Sequence, residues 1–196
     1  MGLRRLRVLM FVFMFGILAG AGLAQQVVQR GALGRPAEVL DETGQWTVPL
    51  LMSSDHDVEI YIPDVTNPDW LKRNYRDFQD KHQYVLTFFT FYQTTRACRA
   101  NQIGWGYGDQ QHLDACNDIS YRVRQATVDA HLKTVTLIMA AMVGQDGQIV
   151  PSSVERQAIS RTWSALDANT QEALQKATGL VTEQMRIYDR KVNGIH

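Results

Sequence analysis

Two cysteines, five histidines and a few clustered carboxylates are the residues of this 196-residue chain that could do chemistry. Cys98 and Cys116 are not spaced as Cys-X-X-Cys, which argues against a reactive dithiol. In an oxidising compartment an even pair this close predicts a structural disulfide, worth about 3 kcal/mol in the chain-entropy model. Asp55-His56-Asp57-Val58-Glu59 offers carboxylates and an imidazole of the types that hold divalent cations. On an extended strand, however, Asp55, Asp57 and Glu59 share one face and His56 points away. No calcium-loop spacing follows, so the stretch reads as a solvated acidic face and no metal is expected. His82, His131, Met139, Met142 and Met185 are of types that ligate haem iron. No Cys-X-X-Cys-His motif accompanies them, so no cofactor is expected and the histidines read as hydrogen-bonded core or boundary residues. There is no His-Glu-X-X-His, Gly-X-Ser-X-Gly or phosphate-loop signature. The remaining carboxylates are scattered, and no catalytic residue is assigned.

Two aromatic groups are the candidates for contact with a partner. Gly104-Trp105-Gly106-Tyr107-Gly108 sets two large rings among glycines near the cysteine pair. Trp105 and Tyr107 combine apolar area with a polar handle, as interface anchors do, although a tryptophan folded back onto the core is the competing role. Upstream, Phe89 and Tyr92 fall on one helical stripe, and Tyr84, Phe88 and Phe91 on a second face. Two apolar faces need two neighbours, which makes Phe88 and Phe91 further candidates for a partner or a second copy of the chain.

These residues would be positioned as follows. Residues 25–66 are punctuated by Gly31, Gly34, Pro36, Gly44, Pro49 and Pro63, so no long helix fits. Residues 45–51 and 57–62 read as short extended segments able to pair as a hairpin, the second by its period of two. Asn67-Pro68-Asp69 is a helix start: a capping acceptor, proline at the first helical position, an acid in the first turn. Leu71, Tyr75, Phe78, His82, Val85, Phe89 and Tyr92 then recur every three or four residues, predicting one helix to about Ala100. A second stripe runs from Leu113 to Ala141, and a third follows Pro151, with Asp167-Ala168-Asn169-Thr170 as a possible break. The expected fold is mostly α. It consists of an antiparallel bundle of three to four long helices over residues 67–196, preceded by the irregular or short-β segment 25–66. Cys98 and Cys116 would lie opposite one another across a hairpin that turns at the glycine loop.

Residues 1–24 read as a secretory signal. Arg4, Arg5 and Arg7 precede an apolar run, and small residues lead to Ala24. Cleavage there would leave a chain starting at Gln25. The rival is an uncut anchor, since residues 8–24 make a span at the short edge of what crosses a bilayer. Without the leader's arginines, 17 basic residues face 20 acidic ones, a net charge of −3. That gives no electrostatic footprint for nucleic acid. No second long apolar run follows, so no stable membrane span is expected after cleavage.

The function expected on these grounds is that of a non-enzymatic, exported (periplasmic or secreted) protein-interaction subunit of a bacterial cell envelope. Its partner would be an envelope protein or a second copy of itself. The outline resembles exported helical subunits of type IV secretion pili, which implies a place in a secretion or pilus assembly. A periplasmic small-ligand or cofactor-binding bundle and a periplasmic hydrolase are the alternatives.

Overall fold

The computed structural model describes residues 25–31, 34–55, 58–92 and 119–194. Strands β1 (Val28–Arg30), β2 (Pro36–Leu40) and β3 (Trp46–Thr47) form a small antiparallel sheet in that order. Strands β4 (Leu50–Asp55), β5 (Val58–Ile62), β6 (Gln83–Tyr92), β7 (Ile119–Asp129), β8 (Thr134–Gly144) and β9 (Glu155–Thr162) form a second sheet, a six-stranded antiparallel meander. Helix α1 (Pro68–Lys81) lies between β5 and β6, and α2 (Ala168–Val192) follows β9.

The expected helical bundle is therefore corrected to a mostly β architecture with two α-helices among the described residues. The resemblance to helical pilus subunits falls with it. The divergence begins at His82. Asn67 caps α1 as its motif predicts, its side chain accepting from Asp69 N at 2.9 Å. At the other end His82 turns left-handed, with φ 55° and ψ 28°, and its N–H bonds back to Phe78 O at 2.9 Å. The chain thus leaves the helix at Lys81 and reverses into β6. Asn74 pins the two together: Nδ2 donates to Trp70 O at 3.1 Å, and Oδ1 accepts from Val85 N at 3.0 Å.

Strand β6 is buried on both faces, which is why its apolar run can be fitted to a helical stripe. Tyr84, Leu86 and Phe88 join the core beneath the helices, while Phe89 and Phe91 join a second core on the opposite side. Cys98, Trp105, Tyr107 and Cys116 lie outside the described residues. Because β6 ends at Tyr92 and β7 begins at Ile119, their segment connects two strands. The helices expected on either side of the cysteines are strands over Gln83–Tyr92, Ile119–Asp129 and Thr134–Gly144.

Two cores flank the meander. On one face α2 buries Ala173, Leu174, Ala177, Val181 and Met185, packing on β4, β5 and α1. The small alanines let the helix approach the sheet closely. Asp167 caps this helix, accepting from Thr170 N at 2.8 Å. On the other face Val28, Val39 and Leu40 of the small sheet close over Phe89, Tyr121, Val123 and Val143. The small sheet is also held at its start. Val27 N and Val28 N both donate to Gly147 O, at 2.8 and 3.2 Å. Among the described residues no helix is long and apolar enough to cross a membrane.

Candidate functional site

Period-two alternation in β7 sends Tyr121 and Val123 to one core and Arg122, Arg124, Ala126 and Val128 to the helix-side face. The helices cover the β4–β6 half of that face. Over β7–β9 a cavity of about 280 Å³ remains, roofed by the turn before α2 and by the helix's first residues. Its size is close to the lower end of small-molecule sites, about 300–1,000 Å³.

Phe88, Leu137, Ile159 and Leu174 give the cavity apolar walls, and Arg122, Arg124 and Arg161 bring three guanidinium groups to it. Register explains the grouping. Thr90 is the direct cross-strand partner of Arg122, and Phe88 of Arg124, so each pair shares a face. Thr90 is only 4% exposed, yet its hydroxyl has no hydrogen-bond partner among the described residues. None of the three arginines makes an ion pair or hydrogen bond among those residues. Burial, and then the charge of Arg122, lowers the pKa of Arg124 from its ordinary value. Glu155 and Asp167 also line the cavity; Asp167 has both carboxylate oxygens occupied by Thr170, at 2.8 and 2.7 Å, and its charge acts on Arg124. Among the described residues no histidine, cysteine or serine lines the cavity. Its groups can hold an anion and an apolar body.

The residues singled out from the sequence are distributed differently. Phe88 and Phe91 are both buried, on opposite faces of β6: Phe88 is a wall of the cavity, and Phe91 stacks near Tyr121 with ring centroids 5.3 Å apart. His56 and Asp57 lie outside the described residues. Glu59, expected on a solvated face, is 2% exposed and is held by Arg35 and by the Tyr61 hydroxyl at 2.5 Å. Among the described residues no group of three or more potential ligands could hold a metal ion. His82 and His131 do come together, with ring centroids 5.6 Å apart, but both are exposed and neither is a core residue. Met139 and Met142 sit on β8, and Met185 is buried on α2.

Arg122, Arg124, Arg161 and Thr90 were not identified from the sequence. Their signal was Tyr121-Arg122-Val123-Arg124, an alternation of charge with large apolar groups that belongs to a strand. No protein-family model, curated protein or solved structure matches this chain.

Proposed function

We propose that this protein is an exported, non-enzymatic binding protein for a small amphipathic anion, such as a carboxylate with an apolar body. The observation that carries the reading is the Thr90–Arg122 pair: among the described residues, a buried hydroxyl without a partner beside a guanidinium that makes no ion pair. Buried polar groups normally find partners, so an orphan in a cavity marks where a ligand's polar atoms fit. The neighbouring Arg124 adds a second fork for a carboxylate. Export rests on the leader, and cleavage after Ala24 suits the fold, since Gln25 O already accepts from Ile149 N at 2.9 Å.

The interaction-subunit alternative has less support. The edge strand β9 is exposed, but Glu155, Arg156 and Arg161 put charges along it, a device that discourages strand addition.

The test is calorimetric titration of the purified protein with hexanoate, 1-hexanol and hexylamine. Hexanoate is expected to bind tightest and hexylamine weakest. Arg122→Gln and Arg124→Gln should each weaken hexanoate by about 10–100-fold, the worth of a hydrogen bond to a charged group. Equal affinity for all three heads, or no binding of hexanoate, would sink the proposal.

A further inference from the structure

The same two strands build a second cavity on their opposite face. It measures about 260 Å³ and lies between β6–β8 and the turn that joins β2 to β3. Thr87 and Gln125 line it, and they are direct cross-strand partners, 4% and 8% exposed. Among the described residues neither the Thr87 hydroxyl nor the Gln125 amide has a hydrogen-bond partner. Phe89, Val123 and Met139 supply apolar wall.

Charge separates this cavity from the first. No cationic side chain lines it, and its charged neighbours are Asp41 and Glu42. Asp41 is occupied by Thr43, Gln45 and Arg73. An anion would find no cationic side chain in the lining and two carboxyl groups nearby. A hydroxyl and a primary amide each donate and accept. The complementary ligand head therefore also donates and accepts, and it is neutral. Leaving the buried Thr87 hydroxyl unbonded is costly, which favours an occupant that bonds it together with the adjacent Gln125 amide.

We propose that this cavity is a second binding site, for a small neutral molecule with an apolar body and a carboxamide head. It does not depend on the anion site, whose residues lie on the other face.

Met139 lines this cavity and not the other, so its methyl group reports occupancy. The experiment is a titration of methyl-¹³C-methionine-labelled full chain with hexanamide, N,N-dimethylhexanamide and hexanoate, followed by NMR. The Met139 signal is identified by its loss in Met139→Leu. Hexanamide should shift it saturably. The dimethylated amide, which cannot donate, and hexanoate should bind roughly tenfold more weakly or not at all. Thr87→Val should weaken hexanamide by a similar factor, with Met52 and Met185 in the helix-side core reporting that the variant is folded. If that variant does not fold, the head-group series on the unaltered protein decides alone. A Met139 signal indifferent to hexanamide, or equally shifted by the dimethylated amide, overturns the proposal.

Discussion

Arg35 clasps the buried carboxylate of Glu59 with two hydrogen bonds, Nε to Oε2 at 3.1 Å and Nη2 to Oε1 at 2.6 Å. The pair ties the segment entering β2 to the middle of β5, and so joins the small sheet to the meander. Arg35→Ala should lower the melting temperature, because a carboxylate in an apolar setting loses its forked donor. Arg35→Lys should fall between, keeping the charge and losing the fork. The double variant Arg35→Ala/Glu59→Gln should melt above Arg35→Ala alone, since it removes the buried charge whose forked donor the first change takes away. A double variant no more stable than the single one would show that the pair does not hold the sheets together.

Gly147 is a position that no other residue can fill without rearrangement. Its φ is +77°, and a Cβ built there would lie 1.9 Å from Val28 O. Gly147→Ala should destabilise the protein by at least about 2 kcal/mol, combining left-handed strain with displacement of β1. Chemical denaturation measures this. A change below about 0.5 kcal/mol, ordinary for a surface substitution, would mean that β1 does not press against this turn.

How much of this was legible in the sequence depended on whether the signal was local. Asn67-Pro68-Asp69 declares the start of α1 because capping is decided by neighbouring atoms. Asp167 and the spacing of Ala173, Ala177, Val181 and Met185 likewise mark α2 as a one-sided helix. The strands between them were obscured. A β6 buried on both faces carries no polar alternation, and its aromatics matched a 3.5-residue stripe by coincidence. The left-handed turn at His82, which ends the helix, has no sequence marker of the kind a glycine would give. The cavities were unreadable for the same reason. Thr90 meets Arg122, and Thr87 meets Gln125, only once β6 and β7 are in register.

Glu42 makes stability depend on pH. Its carboxyl oxygens are buried, and Arg73 comes only to 3.7 Å of Oε1. Burial pushes its pKa up to about 7 from an ordinary 4.5. Between those values the folded protein keeps a proton that the unfolded chain releases, so stability falls as pH rises from about 4.5 to 7 and levels off above. The loss should total roughly 3 kcal/mol, and Glu42→Gln should abolish this component. Denaturation at pH 4.5, 6 and 8 tests the sign. A wild type that gains stability relative to the glutamine variant as pH rises would contradict it.

Thr90→Val should move stability and binding in opposite directions. Valine matches threonine in shape and removes a hydroxyl that sits buried without a partner among the described residues. An unmade buried hydrogen bond costs about 1–3 kcal/mol, so without ligand the variant should be more stable by about 1 kcal/mol after allowing for partial hydration of the cavity. For a domain of this size that is about 2–4 °C in melting temperature. With hexanoate the order should reverse in affinity, because the variant offers Arg122 and Arg124 but no hydroxyl between the guanidinium groups and the apolar wall. Such opposed signs are expected where a protein keeps a destabilising group for a ligand, whereas a purely structural threonine would lose stability on the same change. Calorimetric melting without ligand, paired with titration, separates the two. A lower melting temperature with unchanged hexanoate affinity would return Thr90 to the core and remove the hydroxyl from the anion site.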